Sequence, residues 1–325
     1  MSKNIDVKVK DKVNKSDLFG SKLVIEFNGK NNNHTIVNAI RRVAMDSIPT
    51  YAFWKDLMVI EANTSIFNND YMKLRLSQLP IFDIKSDIEF LHPRFWDKVD
   101  YKDTKREKHL KEKNIEFYLN VHNNTPENIN VTTNDARVVI DSEITQMYNK
   151  KYPILITQLR PNESFKCYLR ATLGVGEKNN IWSAVNTSFY DIDEKEESKI
   201  TLTLESQGQL TEKDILVKSA GNIIYKLDEF KNIINKKIKD KEITDENLIR
   251  FEFKNEDHTF GELLNRAFQD HPKITFSGVS KPDHLIKMIR FTVQAETSPV
   301  KYMLEQIDYL HNLFTDLKMK FDKIN

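Results

Sequence analysis

The chain has 325 residues, and its 49 Lys and Arg almost cancel its 48 Asp and Glu, leaving a formal charge of +1. That length predicts about two domains around a substantial core, and the balanced charge gives no global field of the kind that marks a nucleic-acid binder. A single cysteine, Cys167, excludes an intramolecular disulfide and a Cys-rich zinc site within the chain. No apolar run approaches the roughly 18 residues of a membrane span, so an intracellular, soluble protein is expected.

In chain order, a lysine-rich lead without the apolar centre of a leader peptide carries a short edge strand at 6–9. Residues 23–27 alternate as a strand. Ile36, Ala39, Ile40 and Val43 then recur at helical spacing, with Thr35 in the N-cap position, Asn38 as a weak capping partner and Pro49 after the helix. Residues 52–62 read as a strand and 71–81 as a short helix stopped by Pro80. The run 97–113 is dense in charge and reads as a solvated loop, anchored by Phe95 and Trp96. Strands at 115–121, 136–140, 154–159, 164–172 and 189–192, separated by turn residues, form a β-rich insertion.

Residues 199–206 return the chain to the first layer as a strand, and 211–239 form a long amphipathic helix with Gly221 as a local weakness. The polar connector 240–246 reaches on the order of 20 Å, enough to join neighbouring units. A strand at 248–253 leads to a helix in which Thr259 caps and Glu262 completes a capping box, with Phe260, Leu263, Leu264, Ala267 and Phe268 on one face. Strands at 274–279 and 286–296 follow. Ser298 caps and Pro299 opens a final helix running to Phe321.

Two stretches of this chain are alike. His34-Thr35-Ile36-Val37-Asn38-Ala39-Ile40-Arg41-Arg42-Val43-Ala44 aligns without a gap on His258 through Phe268, so that histidine, threonine, the apolar positions and the second arginine coincide. The repeated unit is strand, turn, helix. Two such units can bury their apolar helix faces against each other about a pseudo-twofold axis, which predicts an internal dimer. The expected class is α+β: two units, each an antiparallel sheet packed on helices, with a β-rich insert domain in the first. The boundaries are 1–54 with 198–240 for the first unit, 55–197 for the insert and 241–325 for the second unit.

No catalytic, cofactor-binding or metal-ligating set emerges. His34 and His258 lack a matched acid and nucleophile nearby, so a structural role, hydrogen-bonding the turn, is favoured. Gly174-x-Gly176 lacks the third glycine of a nucleotide fingerprint. Cys167 lies in a strand and reads as a small buried hydrophobe.

The motifs also resemble a family. His34 to Arg42 is similar to the signature of the bacterial RNA polymerase α subunit amino-terminal domain and its archaeal and eukaryotic counterparts. Asn255-Glu256-Asp257-His258-Thr259-Phe260-Gly261 resembles that of the eleventh subunit of eukaryotic RNA polymerase II. Asn63-Thr64-Ser65, Leu74 to Ile81, Val131 to Asp135 and Glu205 to Gly208 resemble motifs of the third-largest subunit. The resemblance covers about residues 20–321 and makes two separate subunits one polypeptide, an arrangement similar to that of large DNA viruses that transcribe in the host cytoplasm.

The resemblance implies a non-catalytic assembly scaffold, the platform on which the second-largest and then the largest polymerase subunits assemble. It implies no active site here, no cofactor, a small zinc-binding subunit as a further partner, and contact with DNA only through the complex. By position Arg42 matches the family arginine that touches the second-largest subunit, and Arg41, Arg75 and Trp182 complete the implied polymerase interface. Arginine suits such a contact through its planar, bidentate fork. His34, Thr35, Ile36, Ile40, His258, Thr259, Phe260, Leu263, Leu264 and Phe268 make up the dimerisation helices and their caps. The location implied is the host cytoplasm and the virion for a viral source, the nucleus otherwise. The chain departs from the family in having no cysteine between residues 83 and 121, no His-Ala-Lys before Trp182, Leu74 for a histidine and Ser77 for a glycine. A nucleic-acid-binding accessory protein using 97–113 is the alternative function; a stand-alone enzyme has the least support.

Overall fold

Alternating apolar residues and two amphipathic repeats set the architecture of the computed structural model, which describes residues 5–15, 20–84, 87–91, 109–239, 247–283 and 285–324. The first elements are β1 (Asp6–Val13), β2 (Lys22–Asn28), α1 (His34–Asp46), β3 (Thr50–Phe53), β4 (Val59–Asn63) and α2 (Asn69–Ser77). Strands β5 (Ile115–His122), β6 (Ile129–Thr132), β7 (Ala136–Ile140), β8 (Glu143–Thr145), β9 (Leu155–Leu159), β10 (Ser164–Gly174), β11 (Val185–Ile192) and β12 (Ile200–Ser206) follow. The chain then forms α3 (Glu212–Lys239), β13 (Leu248–Lys254), α4 (His258–Gln269), β14 (Ile274–Ser280), β15 (Met288–Ala295) and α5 (Pro299–Asp322).

The first unit is an antiparallel sheet ordered β1-β2-β12-β11, with α1 and α3 packed beside it. The second is a smaller sheet ordered β13-β15-β14, with α4 and α5. Each unit thus follows a strand, helix, strands, long-helix plan. The long helices α3 and α5 pack on each other, and α1 packs on α4. As a result one apolar core runs through both units: Ile36, Ile40 and Val43 of α1 share it with Phe260, Leu263, Leu264 and Phe268 of α4, and with Phe230 of α3 and Phe314 of α5. Phe230 lies against the rings of Phe251, Phe253, Phe260 and Phe291, at 4.7–6.0 Å between centroids. Clustered aromatic edges and faces of this kind add specific geometry to simple burial.

The insert has its own core, built from Phe53, Phe117, Leu119, Phe165, Leu169 and Tyr148 among others. Its main sheet runs β3-β10-β5-β7-β8, with β4 also on β10, and β6 pairs with β9 alone. Two expectations change here. The strand at 189–192, read as part of the insert, extends over Val185–Ile192 and joins the sheet of the first unit, hairpinned to β12 with Ile192 opposite Ile200. A hairpin between chain neighbours closes a short loop at little entropic cost. The single strand expected over 52–62 is broken by a 3-10 turn at Lys55–Leu57, and its first half, β3, pairs with β10 inside the insert.

The final helix has Pro299 in its first turn, where a missing N–H costs nothing. Ser298 precedes it, but its buried hydroxyl makes no capping bond, because a backbone ψ of 120° at φ −51° does not aim it at the helix amides. Cys167 is buried in β10, and that burial raises its thiol to about 12.

Candidate functional site

The junction between the units has two ends, related by the internal pseudo-symmetry, and each is built around a helix start. Both helices begin two residues earlier than the threonine caps predict. Asn33 caps α1, its side-chain oxygen accepting from the amides of Thr35 and Ile36 at 3.0 and 3.2 Å and from the Thr35 hydroxyl at 2.6 Å. Asp257 caps α4 by accepting from the Thr259 amide at 2.9 Å. Asn and Asp are strong N-caps, and each threonine therefore falls at the second helical position. Glu262 then lies a full turn in, too far to close a capping box. His34 and His258 occupy the exposed first helical position, and neither ring is hydrogen-bonded to a described residue.

At the first end α1 delivers Arg42 to the cap of α4. Its Nη2 lies 3.2 Å from Asp46 and 3.5 Å from Asp257. Asp257 thus caps its helix with one oxygen and faces Arg42 with the other, and negative charge at a helix N-terminus is favourable in its own right. Burial pushes the Asp46 carboxyl up against the pull of Arg42. Beneath lies a second pair: Lys226 of α3 reaches Glu256 at 3.0 Å, with 19% and 7% of the side chains exposed. Burial raises the Glu256 carboxyl although Lys226 pulls it down. A cleft of about 260 Å³ opens here between Arg42, Asp46, Lys226, Asp257 and Lys287. Lys287 pairs with Glu177 of the insert.

The insert seals that end with the loop that departs from the family pattern. The amide of Glu177 donates to the carbonyl of Asp46 at 2.9 Å. Gly176 passes so close to α1 that a Cβ would lie 2.1 Å from the Met45 carbonyl oxygen. Behind it Trp182 is 1% exposed, donates from Nε1 to Thr172 O at 3.0 Å and stacks on Trp54. Trp182, expected at the polymerase interface, is instead a buried core residue whose indole lies so close to Gly174 that a Cβ there would fall 2.0 Å from its Cδ2.

At the other end the same positions carry less charge. Arg266, the repeat partner of Arg42, pairs with Asp270 at 3.2 Å, as Arg42 does with Asp46. Opposite it stands neutral Asn33 rather than Asp257. Buried Asn32 replaces Glu256 and donates to Ser198 O at 2.7 Å, and Asn31 donates to Tyr309 at 3.0 Å.

Of the remaining expected interface residues, Arg41 lies beside Arg42 and donates to Asn38 at 3.1 Å. Arg75 sits apart, on the exposed face of α2, donating to Leu155 O at 3.0 Å. Arg41 and Arg42 are successive residues of α1 with different partners, and Arg75 lies on the insert. Sequence reading missed the Lys226–Glu256 pair; a glutamate next to a helix cap was the only signal it offered. Among the described residues no group of three or more His, Cys, Asp or Glu is placed to hold a metal, and no helix is long and apolar enough to cross a membrane. Residues 97–108 of the charged run, with Phe95 and Trp96, lie outside the described residues.

Comparison with known proteins adds a family to this geometry. The RNA polymerase Rpb3/Rpb11 dimerisation domain matches twice, over residues 26–227 and 248–320. A candidate DNA-directed RNA polymerase subunit of Acanthamoeba polyphaga mimivirus, R470, is 27% identical over 321 residues, covering 91% of this chain and 89% of its own length. In Arabidopsis thaliana, subunit 3B of DNA-directed RNA polymerases IV and V is 27% identical, and subunit 3 of polymerases II, IV and V is 26% identical. Both plant matches cover 60% of each partner, so this chain spans under two thirds of the plant proteins.

Proposed function

Given that the chain belongs to the RNA polymerase Rpb3/Rpb11 dimerisation-domain family, we propose that it is a non-catalytic assembly platform of a multi-subunit DNA-directed RNA polymerase, on which the second-largest and then the largest subunit assemble. The observation that carries this reading is the single core shared by two family-type units within one chain. A platform must be rigid before its partners arrive, and a continuous apolar core supplies that rigidity. A small zinc-binding subunit is a further partner under this reading, and DNA is met only through the complex. The site of action would be the host cytoplasm and virion for a viral source, the nucleus otherwise.

The partner-facing surface of the platform is the end of the junction where Arg41 and Arg42 lie side by side. Arg42 is 41% exposed in its side chain while bridging Asp46 and Asp257, so part of its fork remains open to another chain. Pull-down of the tagged chain from its native source should recover both large polymerase subunits; recovery of neither would sink the platform reading. Arg42→Ala should reduce capture of the second-largest subunit several-fold, whereas Asp257→Asn, which keeps the cap and removes only one of the two internal charge partners of Arg42, should not. Equal losses in the two variants would reduce Arg42 to an internal strut.

A further inference from the structure

The two units differ at one sheet edge. In the first, β1 pairs along the outer side of β2, so the strand leading into α1 is covered on both sides. In the second, β13 leads into α4 in the same way and pairs with β15, but among the described residues no strand pairs with its outer edge. The direction of its free groups follows from the ladder. The Ala295 amide donates to Asn247 O at 3.0 Å and the Asn255 amide to Lys287 O at 2.8 Å. In an antiparallel pair such bonded positions alternate, so 247, 249, 251, 253 and 255 face β15. The N–H and C=O groups of Leu248, Arg250, Glu252 and Lys254 therefore face outward.

Chemistry at the matching positions says what would fit there. Glu26 lies on β2 between the buried Ile25 and Phe27, and lysines of both flanking strands meet it: Lys10 of β1 at 2.8 Å and Lys199, beside β12, at 3.5 Å. On β13 the residue between buried Ile249 and Phe251 is Arg250, whose neighbour on β15 is the uncharged Thr292. Glu252 is already taken by Arg290 at 2.6 Å. The open edge thus presents a cation where the covered edge presents an anion. The underside differs in the same sense. Ile5, just before β1, is fully buried and its carbonyl accepts from Lys320 of α5 at 2.6 Å, while α3 ends with Ile238 36% exposed.

We propose that the outer edge of β13 is a strand-addition site for an extended segment of another polymerase subunit, one that places a carboxylate opposite Arg250 and apolar side chains on the core side. Main-chain bonds to Arg250 and Glu252 would supply affinity and the alternating side chains specificity. This inference rests on the platform reading. The closing experiment is residue-level hydrogen exchange on the full chain, alone and within the polymerase purified from its native source. Alone, the amides of Arg250 and Glu252 should exchange quickly while Phe251 is protected; in the complex both should slow at least tenfold. Unchanged exchange in a complex that contains both large subunits overturns the strand site and leaves the platform reading standing. A chain recovered without the large subunits overturns both. Slow, concentration-dependent exchange in the isolated chain would mean self-pairing of two copies and also overturns the proposal. Glu252→Pro removes an outward N–H without touching the β15 ladder, and Arg250→Glu reverses the charge in case the proline variant does not fold. Either folded variant should lose one component of the complex, and full retention by both would refute the assignment.

Discussion

The two ends of the junction share a backbone plan and differ in electrostatics. At one, Arg42 meets Asp257 over a buried Lys226–Glu256 pair; at the other, Arg266 shares a cleft with neutral Asn33 beside buried Asn32. Burying an ion pair seldom adds net stability, because desolvation consumes most of the attraction. The neutral end meets the same backbone plan with a hydrogen-bonded amide, Asn32, in place of the ion pair.

The largest test of that contrast is Lys226→Met, which leaves Glu256 buried without its partner and should lower unfolding free energy by about 3 kcal/mol in urea titration. Adding Glu256→Gln should restore more than half of the loss; no recovery would mean that the lysine acts through packing alone. Gly176→Ala comes next, since its methyl meets a backbone oxygen that cannot turn aside. It should cost about 2 kcal/mol and should loosen the charged end only, read as faster exchange at the Glu177 amide.

The pH dependence follows from the raised Glu256 carboxyl. The folded chain holds that proton more tightly than the unfolded one, so this contribution to stability is greatest below the ordinary value of 4.5 and is lost as pH rises towards the raised one. Glu256→Gln should flatten that slope, and an unchanged slope would place the titration elsewhere. The smallest effects concern the caps. Asp257→Asn should cost no more than about 1 kcal/mol, as expected of a half-exposed ion pair. Asn33→Asp, copying the charged cap opposite Arg266, should stabilise by about 0.5 kcal/mol, with salt eroding the gain.

The repeat was legible because its information is periodic and local: Ile36, Ile40 and Val43, and Phe260, Leu264 and Ala267, recur at spacings that only a helix puts on one face. The caps lie two positions before the threonines because Asn33 and Asp257 are cap formers at least as good as threonine, and the pattern alone does not rank two candidates separated by one histidine. Trp182 was misplaced because a motif residue can act by shaping a loop from below as well as by touching a partner, and spacing does not separate the two. Lys226 and Glu256 come from different elements, so neither position forecasts the other. The β11 strand was assigned to the insert because alternation identifies a strand and says nothing about which sheet it will join.

The shared core has a consequence for how this protein behaves in a crowded or dilute setting. Where two subunits must find one another, the pair exists only above a threshold set by their concentrations, and each can be left over. Here α1 and α4 are joined through one continuous chain, so their encounter is intramolecular and dilution does not separate them. The midpoint of unfolding should be independent of protein concentration. Synthesis of one copy yields one complete pair, with stoichiometry fixed at translation.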